Sequence, residues 1–264
     1  SKGAKMPRGS KKAVLKYLIP VPPLAVQSEI VRILDNFTEL TAELEAELTA
    51  RKKQYEYCRD KILNFDKNDS NVQWKTLEEV FHIKNGYTPS KKIKEYWDNG
   101  TIPWFRMEDI RKNGNILYDA IQHITKEGIK GNLFPADSII LATTATIGEH
   151  ALIKVDFLAN QRFVCLTKKS NYSYINNMYI FYYMFIIGEW CKKNINVSGF
   201  PSVNMTEFKK VKFPIPPLDI QERIVFILDS FYSLCNDISI GLPAEIEGRK
   251  KQYEYYRNKL LTFK

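Results

Sequence analysis

The sequence predicts an α+β fold, in which one globular domain of mixed helices and strands is flanked by two long helices. Two observations predict it. A helical pattern is written twice, over residues 22–65 and 216–263, and short apolar runs with strand character lie between the copies. A chain of 264 residues, 44% of them hydrophobic, can bury a sizeable core, and an aromatic content of 13% argues against disorder.

The two helical copies agree closely in sequence. Residues 22–40 read PPLAVQSEIVRILDNFTEL and residues 216–234 read PPLDIQERIVFILDSFYSL, at an offset of 194. Residues 51–65 read RKKQYEYCRDKILNF and residues 249–263 read RKKQYEYYRNKLLTF, at an offset of 198. The agreement includes positions such as Lys52 that core packing does not dictate, so a chance amphipathic helix is the weaker interpretation.

Mostly apolar residues recur in each copy in alternating steps of four and three, which is the seam of a coiled coil. The first seam is Ile30, Leu34, Phe37, Thr41, Leu44, Leu48, Arg51, Tyr55, Cys58, Ile62 and Phe65. The second is Ile224, Leu228, Phe231, Cys235, Ile238, Ile246, Arg249, Tyr253, Tyr256, Leu260 and Phe263. We expect a continuous first helix of about 60 Å. The second should be interrupted near Gly241, where four extra residues and Pro243 fall.

The PxPPL blocks at 20–24 and 214–218 and the RKKQYEY blocks at 51–57 and 249–255 carry a resemblance. They are similar to the helical regions of the specificity subunit of type I restriction–modification systems. In that family two target-recognition domains alternate with two long helices, which pack as an antiparallel coiled coil. The resemblance covers nearly the whole chain. It differs from the family in the number of recognition domains, because both helices are present but there is room for only one complete recognition domain.

The resemblance implies domain boundaries, as follows: a remnant tail of a preceding recognition domain at 1–21, the first helix at 22–66, a target-recognition domain at 67–213, and the second helix at 214–264, interrupted near 241–243. The tail is expected because Pro7, Lys16 and Pro20 match Pro201, Lys210 and Pro214 at the first offset. The chain would then be a natural half-subunit or begin inside a longer ancestor. A plain basic tail is the alternative.

The middle of the chain predicts short strands and separate helices. A capping box at Thr76 and Glu79 opens a short helix. Predicted strands lie at 81–84, 101–105, 138–142, 149–155 and 162–167. A helix rich in apolar and aromatic residues is predicted at 174–192. Asn204 or Thr206 is expected to cap a last short turn, and the Pro-rich segments 19–23 and 213–217 are expected to be extended connectors.

Composition points to an anionic partner for the middle domain. The net charge is +9, and residues 71–210 hold 18 basic against 13 acidic side chains. A basic globular domain suits a polyanion, although charge alone is a weak argument. The four cysteines form no CxxC pair and are expected to be small buried hydrophobes in a cytoplasmic protein. The apolar run 178–187 is too short to cross a bilayer.

Catalytic signatures are missing from the sequence. It contains no GxGxxG, Walker or HExxH motif, and both Pro-Pro pairs lack the flanking Asn or Asp and aromatic residue of an amino-methyltransferase. His82, His123 and His150 stand apart and are expected to be structural. Glu108 and Asp109 are expected to lie on an exposed helix turn rather than in a nuclease or metal site. We therefore expect no enzymatic activity in this chain.

Polar and basic residues cluster in the expected loops of the middle domain. Forked donors and amides read base edges, whereas Lys, Ser, Thr and backbone amides hold phosphates. The candidate DNA-binding residues are Lys84, Asn85, Tyr87, Thr88, Ser90, Lys91, Lys92, Arg106, Arg111, Thr143, Thr144, Thr146, Arg162, Ser198, Ser202 and Asn204. Each alone is more often solvated surface, but their clustering and the family's use of this domain support the set.

The resemblance also implies partners. The chain would read one half of a bipartite double-stranded DNA target and dock methyltransferase subunits, which would bring S-adenosylmethionine, and the complex would add a restriction subunit. The chain itself is expected to hold no cofactor. As a half-subunit with one recognition domain it would act as a homodimer on a symmetric split site.

Two other hypotheses stay open. The chain could be the C-terminal recognition part of a single-chain restriction–methylation enzyme, which a reading frame continuing upstream into a methyltransferase would indicate. It could also be a coiled-coil scaffold without DNA contact, which DNA binding at low salt would exclude.

Overall fold

The protein is described by a computed structural model that covers residues 9–196, 199–236 and 241–263. It divides into two compact units. The helical unit consists of the residues up to Arg51 together with those from 237 onward, and the globular unit runs from Lys52 to Asn236. Among the described residues, no helix combines the length and the apolar content that crossing a bilayer requires.

Eight α-helices are described. They are α1 Lys11–Val14, α2 Leu24–Ile62, α3 Leu77–Val80, α4 Met107–Asn113, α5 Asn177–Lys193, α6 Met205–Lys210, α7 Leu218–Asn236 and α8 Leu242–Leu260. The 39 residues of α2 form one continuous helix, as predicted, and it ends three residues before Phe65. Gly241 is the N-cap of α8 and Pro243 lies in its first turn, where proline costs no hydrogen bond.

Twelve short strands are described. They are β1 Gln73–Thr76, β2 Phe81–Asn85, β3 Ile102–Phe105, β4 Ile116–Leu117, β5 His123–Ile124, β6 Ser138–Ala142, β7 His150–Ile153, β8 Leu158–Ala159, β9 Phe163–Lys168, β10 Ile195–Asn196, β11 Ser202–Val203 and β12 Lys212–Ile215. Their sheets have the orders β2-β9-β6-β7-β4, β5-β3-β8, β1-β12 and β10-β11. Helices and strands are thus segregated as in an α+β domain, which confirms the predicted fold class.

Within the helical unit, α2 and α8 form the expected coiled coil. Every predicted seam residue of α2 from Ile30 to Arg51 is partly buried, whereas most of their neighbours are exposed. The ring of Phe37 stacks on Tyr256 at 5.3 Å, and Lys250 Nζ lies 2.8 Å from Glu45 Oε1. Because the higher-numbered residue of α2 meets the lower-numbered residue of α8, the helices are antiparallel and pair within one chain.

The globular unit is built around the five-stranded sheet. All residues of β6 and β7 are buried, because side chains pack on both faces of the sheet, and this accounts for their continuous apolar sequence. One face supports a cluster that includes Phe105, Ile140, Phe157 and Phe163. The other side of β7 packs against α5, whose three tyrosines are buried as predicted, whereas Phe185 is only partly buried.

The Pro-rich segment 213–217 differs from its prediction as a connector. Its first half belongs to β12, which pairs with β1 in the register Lys75 to Phe213 and Gln73 to Ile215. Proline is compatible with a strand that has one unpaired edge, so Pro214 does not prevent pairing. The strand β1 was not predicted either, because these four residues run directly into the Thr76 capping box.

Local signals at helix starts are confirmed. Thr76 Oγ1 accepts a hydrogen bond from Glu79 N at 3.3 Å, and Glu79 Oε2 accepts one from Thr76 N at 2.6 Å. Asn204 Oδ1 caps α6 by accepting from Thr206 N at 3.1 Å. Cys165, Cys191 and Cys235 are buried and Cys58 is partly buried, as expected of small hydrophobes. Phe263, predicted to lie on the second seam, is exposed beyond the end of α8.

The coiled coil makes a testable prediction. The double substitution Leu44→Asp and Leu48→Asp should lower the free energy of unfolding by roughly 3 kcal/mol, because it places two carboxylates in the seam. Thermal melting followed by circular dichroism measures the effect. Ala42→Asp with Ala46→Asp adds the same charges at exposed positions of the same helix and should cost far less. Equal losses in the two double variants would contradict the seam.

Candidate nucleic-acid interface

The strand directions of the five-stranded sheet bring three predicted loops to one edge. β9 is antiparallel to both of its neighbours, with Phe163 opposite Ala142 of β6 and Val164 opposite Asn85 of β2. The segments that follow β2 and β6, and the one that precedes β9, therefore leave the sheet at the same edge. We call residues 86–92, 143–149 and 160–162 the edge loops.

Backbone contacts hold the first edge loop against the third. Gly86 N donates to Phe163 O at 3.0 Å, and Tyr87 N donates to Ala159 O at 2.8 Å. A Cβ on Gly86 would lie 2.3 Å from Ala159 O, so this approach requires glycine. The Thr88 hydroxyl donates to the Gln161 side-chain oxygen, which joins the tips of the two loops.

The second edge loop is fixed on both sides. Thr143 N donates to Arg162 O at 3.0 Å, and Val203 N donates to Thr143 O at the same distance. Thr144 pairs with Ser202 in an isolated bridge, which adds β11 to the edge. Gly148, at φ +91°, lies so close to α5 that a Cβ there would be 2.5 Å from Gly188 O. The loop is therefore positioned by the domain core.

Arg106 also lies beside the edge loops. Asn160 N donates to Phe105 O at 3.1 Å, which places the start of α4 next to the third loop. The Arg106 guanidinium is 2.7 Å from Glu108 Oε2 and half-buried. Arg106 is thus held in an ion pair, whereas Arg162 is exposed and its guanidinium makes no hydrogen bond or ion pair within the described ranges.

Asp109 corrects the expectation of an exposed helix turn. The helix is present as α4, but Asp109 is fully buried. Its carboxylate accepts hydrogen bonds from Arg106 N and Ile121 N, both at 2.6 Å. The carboxylate therefore ties the helix start to a neighbouring loop, a structural role that requires burial and that helix periodicity did not show.

The predicted site residues fall into several groups. At or beside the edge lie Asn85, Thr88, Arg106, Thr144, Thr146, Arg162 and Ser202, and the exposed Ser90, Lys91 and Lys92 continue the first loop. Three other side chains are engaged internally. Thr143 is buried, Asn204 caps α6, and the Tyr87 hydroxyl donates to Gly128 O at 3.2 Å.

The remaining predicted residues lie elsewhere. Arg111 is on the exposed side of α4, and no contact links it to the edge loops in the described part of the chain. Ser198 lies outside the described residues. Lys84 projects from β2 into a groove of about 500 Å³ that begins beside Asn85.

That groove contains residues that sequence reasoning missed. Its lining includes His82, Lys84, Lys130 and Asn132, so two lysines and an amide continue the polar surface beyond the edge loops. The Lys130-Gly131-Asn132 triplet, with Gly131 at φ +86°, carries the turn signal that could have identified it. It was overlooked because it is distant in sequence from every predicted loop.

Two titratable groups of the globular unit are fully buried, and burial keeps both uncharged at neutral pH. Burial lowers the pKa of His150 to about 4, so its ring is neutral at pH 7 and packs edge-on against Phe185 at 4.4 Å. This agrees with the structural role expected for it. Burial also raises the pKa of Cys165, which stays a thiol. No cluster of three or more His, Cys, Asp or Glu suited to a metal ion occurs in the described ranges.

The sequence and fold can be compared with those of known proteins. A sequence model of the type I restriction modification DNA specificity domain matches residues 1–51 and 69–248. The chain belongs to this family. It is 52% identical over 202 residues to the type I restriction enzyme EcoprrI specificity subunit of Escherichia coli, an alignment that covers 73% of this chain and 50% of that subunit. Membership of the specificity-domain family is therefore shown by the family model and by sequence identity to a relative.

Two further relatives show how far the likeness extends. The EcoR124I/EcoR124II specificity subunit of Escherichia coli is 43% identical over 255 residues, covering 92% of this chain and 61% of that one. A chain from a study of complex assembly and conformational transition of a type I R-M system shares the fold with a TM-score of 0.70 at 19% identity, covering 98% of this chain and 65% of that one. The chain therefore spans about half to two thirds of these relatives.

The contact of Gly86 with the third edge loop can be tested. Gly86→Ala should lower the free energy of unfolding by about 1–3 kcal/mol, because the new methyl group meets backbone carbonyls that cannot move aside. Thermal melting measures the loss, and hydrogen exchange should rise in residues 86–92 and 159–163. Gly248→Ala is the control, because open space surrounds Gly248 within α8, and it should stabilise by about 0.5–1 kcal/mol. Unchanged stability in Gly86→Ala would contradict the close approach.

Proposed function

We propose that the domain at 67–213 recognises one half of a bipartite DNA target within a type I restriction–modification complex. One observation carries the proposal: antiparallel pairing of β9 with β2 and β6 gathers three polar loops at a single sheet edge. Family membership supplies the substrate class. The chain determines which DNA site the complex binds, and partner subunits carry out catalysis.

The edge offers both kinds of group that DNA recognition needs. Arg162 and Gln161 are exposed and present a forked donor and an amide, which suit base edges in the major groove. Lys91 and Lys92 are exposed on the first loop and suit phosphates, as do the hydroxyls of the edge. Arg106 must first be released from Glu108, so we rank Arg162 ahead of it as a reader of bases.

The helices have a different task in this proposal. The antiparallel coiled coil is a rod of fixed length, so it sets the distance between recognition domains and gives methyltransferase subunits a docking surface. Those subunits bring S-adenosylmethionine, and a restriction subunit joins through the assembled complex. The seam of the rod is already filled within one chain, which leaves the outer helix faces for these partners.

DNA binding gives the central prediction. Arg162→Ala should weaken binding to the cognate duplex about ten- to a hundredfold, and Lys91→Ala with Lys92→Ala should reduce the dependence of log K on log salt by about 2. Fluorescence anisotropy across a salt series measures both. Lys154→Ala is the control, because Lys154 follows β7 at the opposite edge of the sheet. Failure to bind duplex at low salt would favour the scaffold hypothesis, and an equal loss in Lys154→Ala would contradict the edge.

The expected homodimer remains a proposal about how two half-sites are read. Two copies of one recognition domain related by a twofold axis would read inverted repeats. Because each rod closes within its own chain, the copies would have to associate through other surfaces. Sequencing of methylated sites in cells that carry this chain with its partner subunits tests it. A symmetric split site supports the homodimer, and an asymmetric one contradicts it.

A further inference from the structure

An ion pair between Arg106 and Glu108 lies at the start of α4, beside the third edge loop. The Arg106 guanidinium is 2.7 Å from Glu108 Oε2. The backbone N–H of Arg106 donates to the buried Asp109 carboxylate at 2.6 Å. The preceding carbonyl, that of Phe105, accepts from Asn160 N at 3.1 Å. The main chain is therefore held on both sides, whereas the charged end of the Arg106 side chain is held by an exposed carboxylate.

The paired conformation of Arg106 is only weakly stabilised. Its Nε atom is buried and has no hydrogen-bond partner among the described residues. A buried donor without an acceptor is unfavourable, because it has lost its water and gained no bond in return. The guanidinium lies over Trp104, with Cζ 5.9 Å from the ring centroid, which offsets part of this cost. The pair with Glu108 adds little, since the two side chains are 30% and 46% exposed and exposed ion pairs are weak.

Glu108 has a second cation that remains when Arg106 leaves. Lys112 Nζ, one turn further along α4, is 3.3 Å from Glu108 Oε1. Release of Arg106 therefore does not leave the carboxylate unpaired. It does leave a negative charge within reach of any group that takes the place of Glu108 Oε2 on the guanidinium. The chemistry of that group then decides whether the exchange is favourable.

DNA offers a guanidinium two kinds of acceptor, and the Glu108 carboxylate distinguishes them by charge. A phosphate is an anion, so a phosphate that binds Arg106 is repelled by the carboxylate at short range. The major-groove edge of guanine presents O6 and N7 without a net charge, and arginine binds both atoms at once. Glu108 thus opposes the contact that every sequence offers and leaves open the one that depends on the base.

We propose that Glu108 is a specificity-determining residue that keeps Arg106 from phosphates and reserves it for a guanine edge of the target. On DNA without a suitably placed guanine, Arg106 stays paired with Glu108. On the target, O6 and N7 replace the carboxylate, and Lys112 keeps Glu108 paired. Glu108 acts through Arg106 and is a positioning residue. The inference rests on the proposed function, because it requires that the edge loops face DNA.

The test compares binding of the full chain to two DNA probes. One is a pool of random-sequence duplexes, and the other is the duplex that the wild-type chain enriches from that pool. Glu108→Gln should raise affinity for the random pool about three- to tenfold at low salt and steepen the slope of log K against log salt by about 1, because Arg106 gains a phosphate. Affinity for the enriched duplex should rise by a smaller factor with an unchanged slope, so discrimination falls.

A double-variant cycle shows whether Glu108 acts through Arg106. Arg106→Ala alone should leave the salt slope on the random pool unchanged and remove a guanine preference at one position of the enriched sequences. Glu108→Gln in the Arg106→Ala background should then have no further effect on either probe. If Glu108→Gln raises random-pool affinity equally in both backgrounds, the carboxylate repels DNA without Arg106 and the proposal is wrong. Loss of a cytosine preference in both backgrounds would also overturn it, because Glu108 would then read a base itself.

Asp137→Asn is the matched control. Asp137 forms an ion pair with Lys154, and the two side chains are 41% and 31% exposed, close to the values for Glu108 and Arg106. Asp137 precedes β6 and so lies at the edge of the sheet opposite the edge loops. Its substitution removes the same charge and should change neither affinity nor salt slope, and an equal change in this variant would overturn the proposal.

The outcomes separate this inference from the function on which it rests. A wild-type chain that binds no duplex, or that enriches no sequence, contradicts the proposed function, and the role of Glu108 falls with it. A wild-type chain that enriches a sequence, together with a Glu108→Gln variant whose discrimination and salt slopes are unchanged, overturns the role of Glu108 alone.

Discussion

The pairing of β9 with β2 on one side and β6 on the other is the interaction on which the globular unit depends. It buries the central strands, and it sets the direction in which every neighbouring loop leaves the sheet. A shift of one residue in this register would turn the core side chains outward and separate the edge loops. The position of the edge loops therefore depends on the strand pairing beneath them.

Close backbone approaches transmit that constraint to the loops. Gly86 against Ala159 and Gly148 against Gly188 leave no room for a side chain, so both loops are held by main-chain atoms. The polar side chains at the edge therefore project from a backbone that the domain core holds in place. Asp109 has a similar effect on Arg106, because it fixes the start of α4 through two backbone N–H groups.

The helices were predictable from sequence because burial along a rod follows a single period. The seam from Ile30 to Arg51 is a linear pattern, and burial in the structure follows it closely. The strands β6 and β9 were predictable for a similar reason, since a short continuous apolar run is typical of a strand that is buried on both faces. In contrast, β1 and β12 were not, because four residues beside a capping box and a proline-rich run carry no period of their own.

Individual site residues were harder to predict than the loops that hold them. The sequence identified the edge loops by their turn residues and polarity, but not that Thr143 is buried or that the Tyr87 hydroxyl supports the turn at Gly128. These roles depend on contacts between residues distant in sequence. Lys130 was missed because only the folded chain places it beside Lys84.

The prolines in and after β12 limit how many strands can pair with it. Along an antiparallel strand, alternate residues direct their N–H groups to opposite edges. Phe213 and Ile215 face β1, so Pro214 and Pro216 fall on the outer edge and leave it without those donors. Pro20 and Pro22 stand at the same places in the first copy. A strand of this kind is one-sided, because it ends a sheet instead of extending it.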